Sequence, residues 1–224
     1  MFTQFNEEEL KHFFGTQKDW GDYREGGEYF FSTKTNNGHK LFLSLSIYEL
    51  LCSISLSNQH KRSIMDVELK ELTKIERSDE RLLFKSNDFI LAEIVFAPAF
   101  KVSIFLRSQE AKDVDLSFSS LKIKYLMDYQ SYHEDVEEGF YRYSYSDTEG
   151  YFADIYIKKH ARSIDITLRK DGDKNDFICL YLEQFKKIAT AENNLFIWSD
   201  DEHALMVQLK PNLAITWNKK LVES

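Results

Sequence analysis

Six histidines, two cysteines and 37 carboxylates are the groups in this chain that could do chemistry, and their spacing decides which chemistry is open to them. The histidines stand at 12, 39, 60, 133, 160 and 203, with no two four apart, so the two-histidine helix face that holds a catalytic zinc is absent. His133-Glu134-Asp135 sets three ligand types side by side, but neighbouring residues leave the backbone in different directions and do not close on one ion. Cys52 and Cys179 are too few for a disulfide scaffold or a four-cysteine zinc site. Each lies in a strand-like segment and is expected as a small buried apolar group. No Walker loop, dinucleotide glycine fingerprint, G-x-S-x-G elbow or H-E-x-x-H occurs, and Gly26-Gly27 is a lone pair of the kind that makes a turn. No catalytic residue, metal ligand or cofactor is therefore assigned, and the balance is against an enzyme.

Two aromatic groups have both a binding and a packing reading. Tyr141, Tyr143 and Tyr145 alternate along one strand, with Arg142 and Ser144 on its other face. Such a row could stack bases, but copy-like positions earlier in the chain hold Tyr29, Phe31 and Thr33, which suits a row facing the core. Trp20, in Asp19-Trp20-Gly21-Asp22-Tyr23, reads as a plug between helix and sheet ahead of a sugar or peptide contact.

The chain has 29 basic and 37 acidic residues, a formal charge of −8 and a pI near 5.3. Phosphate binding needs clustered Lys and Arg, so a nucleic-acid partner is not expected, whereas an acidic surface favours a basic protein. The acidity is uneven: 15 basic and 17 acidic residues lie within 1–112, and 14 and 20 after it. The opening residues lack a basic start followed by an apolar run. The longest apolar stretch, Phe89 to Leu106, is interrupted by Glu93, Pro98 and Lys101, as strands would be and a membrane span would not. No membrane association and a cytoplasmic location are the expectations.

The elements that must position these groups repeat. Shifted by 113, residues 64–104 align with 177–217 without a gap, and the chain's two prolines, Pro98 and Pro211, coincide. Shifted by 112, Gly27, Tyr29, Ser32, Gly38, Ile54 and Leu56 fall on Gly139, Tyr141, Ser144, Gly150, Ile166 and Leu168. A period this long means two similar domains, 1–108 and 113–224, joined near 107–114. Each begins with a short helix: in the first, Asn6 is the N-cap, Glu7, Glu8 and Glu9 the acidic first turn, and Leu10, Phe13 and Phe14 the apolar face. Strands near 28–34, 39–47, 52–58, 81–87, 90–97 and 100–106 follow. Residues 64–76 fit either a strand running into a helical turn or a single helix. The fold class expected is α+β: two tandem domains, each one N-terminal helix packed on a mostly antiparallel β-meander.

Duplication makes each half a control for the other. Ile47-Tyr48-Glu49-Leu50-Leu51 falls on Lys159-His160-Ala161-Arg162-Ser163, Phe89-Ile90-Leu91 on Glu202-His203-Ala204, and Ala97-Pro98-Ala99 on Lys210-Pro211-Asn212. All three are turns between strands, where water is the default surrounding. Apolar side chains there ask for a cover, so Ile47, Tyr48, Leu50, Leu51, Phe89, Ile90 and Leu91 are the candidate partner or interdomain contacts, with a homodimer also allowed. In the second half, Glu134, Asp135, Glu137 and Glu138 form a candidate acidic surface for a basic partner. The functional expectation is a non-enzymatic protein-binding module, such as an acidic inhibitor or immunity-type protein. The alternative is an enzyme or small-ligand protein with its site in the cleft between the repeats.

Overall fold

Alternation of apolar and polar residues becomes strand almost everywhere. Lys-Leu-Phe-Leu-Ser-Leu-Ser over 40–46 buries Leu41, Leu43 and Leu45 and turns Phe42, Ser44 and Ser46 the other way. The structure, a computed structural model, describes residues 3–14, 27–35, 38–107, 116–128, 130–172, 177–198 and 204–218. The segment Asp19–Tyr23, the junction near 107–114 beyond Arg107, and Glu202-His203 lie outside the described residues. The chain divides into two compact units, Met1–Val102 and Ser103–Ser224.

In the first unit, α1 (Glu7–Phe14) precedes an antiparallel meander of β1 (Glu28–Lys34), β2 (Lys40–Ser46), β3 (Leu51–Ser57) and β4 (Ser63–Leu69). A second antiparallel run follows: β5 (Lys74–Ser78), β6 (Arg81–Ser86) and β7 (Phe89–Val95). β8 (Lys101–Arg107) crosses the boundary. The buried row of the meander runs from Leu43 to its partner Ile54 and on to Val67.

In the second unit, α2 (Ser120–Leu126) precedes β9 (Ser131–Asp135), β10 (Phe140–Ser146), β11 (Tyr151–Lys158), β12 (Ser163–Lys170) and β13 (Ile178–Glu183), all antiparallel in chain order. A second meander comprises β14 (Lys187–Ala191), β15 (Asn194–Trp198), β16 (Ala204–Gln208) and β17 (Ala214–Asn218). Tyr141, Tyr143 and Tyr145 are buried, so this row packs rather than stacks on a ligand. Burial pushes the Cys52 thiol far above its ordinary pKa and leaves it a poor nucleophile. Among the described residues no helix is long and apolar enough to cross a membrane, and no group of His, Cys, Asp and Glu is placed to hold a metal.

The α+β expectation of one helix on one meander per domain is overturned. Of the described residues 59% are in strands and 8% in the two helices, and the strands fall in two large sheets. The first reason is length. Eight residues make a helix of about 12 Å, and α1 buries only Leu10 and Phe14, too little to cover a sheet. The second lies at 70–73, where the single meander is cut. Glu71 takes a left-handed φ of 57°, the Leu72 N–H donates to the Leu50 carbonyl, and β5 goes on to pair with β6. The three-residue spacing of Leu69, Leu72 and Ile75 is that of a chain leaving one sheet for another. Of the two readings of 64–76 the single helix is overturned; the strand of the other is β4, but a bend and β5 stand where it expected a helical turn.

The two units use matching bonds. Gln4 N donates to the Thr73 carbonyl at 2.8 Å and Ile75 N to the Gln4 carbonyl at 2.9 Å; 113 positions on, Ser117 N donates to Lys186 at 3.0 Å and Ile188 N to Ser117 at 2.8 Å. Phe5 meets Tyr29 edge-on at 4.9 Å, and Phe118 meets Tyr141 at 4.8 Å. Leu50 and Arg162 take φ of 56° and 53°, Glu71 and Gln184 57° and 64°. One bond is replaced rather than repeated. The Thr3 hydroxyl donates to the Leu72 carbonyl at 2.6 Å. Its counterpart Leu116 has no hydroxyl, and there the buried Arg162 donates to the Gln184 carbonyl at 3.0 Å and, at 3.4 Å, to that of Phe185. Buried carbonyls need donors, and the frame supplies them by different side chains.

Candidate functional site

Three bends of the first unit meet at one end of its sheets. The β2–β3 turn carries Ile47-Tyr48-Glu49-Leu50, the link from β4 to β5 carries Lys70 to Thr73, and the β6–β7 turn carries Asn87-Asp88 and leads into Phe89. The Leu72 N–H donates to the Leu50 carbonyl at 2.9 Å, and the Leu72 carbonyl accepts from the Thr3 hydroxyl. The Thr3 N–H donates to Ile47 at 3.0 Å. On the other side of the link, the Thr73 N–H donates to Lys85 at 2.8 Å and the Thr73 hydroxyl accepts from Asn87 N at 2.7 Å. The link therefore fastens one turn to the other. The Ala97–Ala99 turn lies elsewhere, at the end where Phe96 N meets the Glu80 carbonyl.

At this junction Tyr48, Phe89 and Ile90 remain 62%, 69% and 42% exposed, while Ile47, Leu50, Leu51 and Leu91 are partly buried. Ile90 should by alternation share the buried face of Ala92 and Ile94. It does not, because the register shifts: Phe84 pairs with Ala92 but Lys85 with Ile90, leaving Leu91 as an extra residue. This bulge reverses the phase of the strand and aims Ile90 outward. Tyr48 is seated on the backbone of Gly27, where a Cβ would come within 2.5 Å of its ring. Glu49, Glu71 and Asp88 are exposed carboxylates carried by the same three bends. The joined bends thus present both exposed apolar side chains and exposed carboxylates.

The four acidic candidates of the second unit divide. Glu134 belongs to the fold: its carboxylate accepts from Lys124 Nζ at 2.6 Å, from the Tyr143 hydroxyl at 2.9 Å and from the Ser120 hydroxyl. Burial pushes its pKa up, but these three donors outweigh burial and hold it below the ordinary carboxylate value. Asp135, Glu137 and Glu138 are exposed at the β9–β10 turn beside exposed Val136, with Asp135 accepting from Glu138 N at 3.1 Å. His160, the counterpart of Tyr48, lies over Gly139 as Tyr48 lies over Gly27.

Sequence reasoning missed the three carboxylates of the joined bends. Glu49 and Asp88 adjoin predicted tips, but Glu71 joins them only through the 70–73 link, and no local pattern announces that link. It also missed a charged recess on the outer face of β10–β12, although Arg142 had been placed on the face away from the tyrosines.

No protein family matches the chain, and no curated protein does. Among solved structures, one chain of a contact-dependent growth inhibition toxin–immunity protein complex from Klebsiella pneumoniae 342 is 19% identical, with a TM-score of 0.38 over 46% of this chain and 96% of that one. The AfRom2 CNH domain is 10% identical, with a TM-score of 0.20 over 93% of this chain and 64% of that one. Likenesses this low assign neither a fold family nor an activity to the protein.

Proposed function

We propose that the chain is two copies of one two-sheet unit and that it works as a non-enzymatic, cytoplasmic protein-binding module, an acidic inhibitor or immunity-type protein that covers a basic partner. The observation that carries this is the junction of bends in the first unit. Three large apolar side chains are held out to solvent, Ile90 by a bulge and Tyr48 by its seat on Gly27, and the same bends carry three exposed carboxylates. Apolar anchors supply affinity once a partner excludes water, and exposed charges speed encounter with an oppositely charged surface. The exposed Asp135, Glu137 and Glu138 give the second unit an acidic turn of its own.

The test is affinity capture from native lysate with the unaltered chain and with a Tyr48→Ser, Phe89→Ser, Ile90→Ser variant, followed by measured affinities for the captured protein. A basic protein should bind the unaltered chain and lose at least about 30-fold in affinity for the variant, as loss of a central anchor implies. Raising salt from 0.05 to 0.5 M, values chosen to span about a threefold change in Debye length, should slow association far more than it speeds dissociation. Equal affinity of the triple variant for every captured protein would overturn the assignment.

A further inference from the structure

The outer face of β10–β12 holds two arginines around one carboxylate. Register places Arg142 opposite Tyr156, Ser144 opposite Asp154 and Phe152 opposite Arg169. The outward row of β11 is thus Phe152, Asp154, Tyr156, with a guanidinium beside each ring. Arg142 lies 5.3 Å from the centre of the Tyr156 ring and Arg169 5.5 Å from that of Phe152. Both then reach diagonally to Asp154: Arg142 Nη2 is 3.2 Å from Oδ1 and Arg169 Nη2 3.9 Å from Oδ2, while the Ser144 hydroxyl donates to Oδ1. The Asp154 side chain is 8% exposed and the two arginine side chains about half exposed. They line a recess of about 350 Å³ that Gln130, Ser131 and Ser146 help to close.

Three features make this more than a surface ion pair. One carboxylate among two guanidiniums leaves a positive charge over, in a chain whose formal charge is −8. Each guanidinium lies over a ring, which restrains it, and its outer N–H edge is left as a hydrogen-bond donor. The frame does not require charge here. The matching positions of the first unit, 112 residues earlier, are Phe30, Phe42 and Ser57, and the two phenylalanines simply stack at 6.1 Å.

We propose that this recess binds a carboxylate, held by the outward N–H edges of Arg142 and Arg169 above Asp154. A monoanion matches the single excess charge, and a planar two-oxygen acceptor matches the guanidinium edge. The proposal is independent of the apolar junction in the first unit.

Proton–nitrogen NMR of the arginine side chains in the full chain tests it, with three titrants: sodium acetate, a blocked Gly-Glu-Gly peptide and sodium chloride at matched ionic strength. Both carboxylates should shift the Arg142 and Arg169 Nε–H signals saturably, and chloride should not. Acetate and peptide binding equally would identify a free carboxylic acid as the ligand; tighter peptide binding would identify an acidic side chain. Arg142→Gln and Arg169→Gln should each weaken binding about tenfold or more, the loss of one charged hydrogen-bonding partner. Asp154→Asn should tighten it, because a competing charge is removed. Linear shifts identical to those of chloride, or unchanged affinity in Arg169→Gln, whose longer ion pair makes it the safer variant for folding, would overturn the proposal.

Discussion

Gly27→Ala separates backbone strain from the seating of a surface ring. Gly27 has a φ of +71°, and a Cβ there would meet Tyr48 Cδ2 and Cε2 at 2.5 Å and Ile47 Cγ1 at 2.9 Å. Gly38 has a φ of +82°, yet a Cβ there would meet nothing within 4 Å. Gly38→Ala thus measures the left-handed backbone cost alone, about 1–2 kcal/mol. Gly27→Ala should cost that and also expel the Tyr48 ring. About two fifths of a tyrosine that presents roughly 200 Å² is covered, so losing the seat forfeits up to about 2 kcal/mol. Urea unfolding at 25 °C should give about 1–2 kcal/mol for Gly38→Ala and about 2–4 for Gly27→Ala. In a Tyr48→Ala background the Gly27→Ala cost should fall towards the Gly38→Ala value. Equal costs of Gly27→Ala with and without the Tyr48 ring would refute the seating. Because the ring is displaced without changing surface composition, Gly27→Ala should also weaken binding to the captured partner.

The exchange of donors at the sheet crossing predicts a coupling. Thr3→Val and Arg162→Met should each destabilise by about 1–3 kcal/mol, since each strips a donor from a buried carbonyl. Leu116→Thr should then cost less in the Arg162→Met background than alone, by about 1 kcal/mol in a double-mutant cycle, because a hydroxyl at 116 can reach Phe185 as Thr3 reaches Leu72. Glu134 predicts an acid limb. Its folded pKa is depressed, so its stabilisation is complete above the ordinary carboxylate pKa and is lost as pH falls through the lowered folded value. Glu134→Gln should flatten the dependence of the urea midpoint on pH between about 5 and 2.

The strands were legible because burial on one face writes period two into the sequence. Leu41-Leu43-Leu45 and Ile164-Ile166-Leu168 are clear examples. The start of α1 was legible because a cap is local: Asn6 Oδ1 accepts from Glu8 N at 3.0 Å. The division of each meander was not, since it depends on which strand β5 pairs with, a choice made by long-range backbone bonds to Gln4 and Lys85. A bulge is equally silent in sequence. Phe89-Ile90-Leu91 reads as a turn leading into a strand near 90–97, whereas all three belong to β7, and only the pairing of Lys85 with Ile90 reveals the change of phase.

That change of phase bears on the proposed function. An outward Ile90, 42% exposed, forgoes part of the burial its neighbours Ala92 and Ile94 obtain, about 0.6–1.3 kcal/mol. A chain selected for stability alone would straighten the strand. The second unit shows that the same frame also holds charge: it sets His160 where the first unit has Tyr48, and Arg142 and Asp154 where the first has Phe30 and Phe42. The backbone bonds that recur at 112 or 113 residues fix where side chains are presented, and leave open what those side chains are. Apolar anchors kept at such positions in one unit, and an arginine pair in the other, are therefore choices that packing does not impose. The binding proposed for each is a reason that accounts for both.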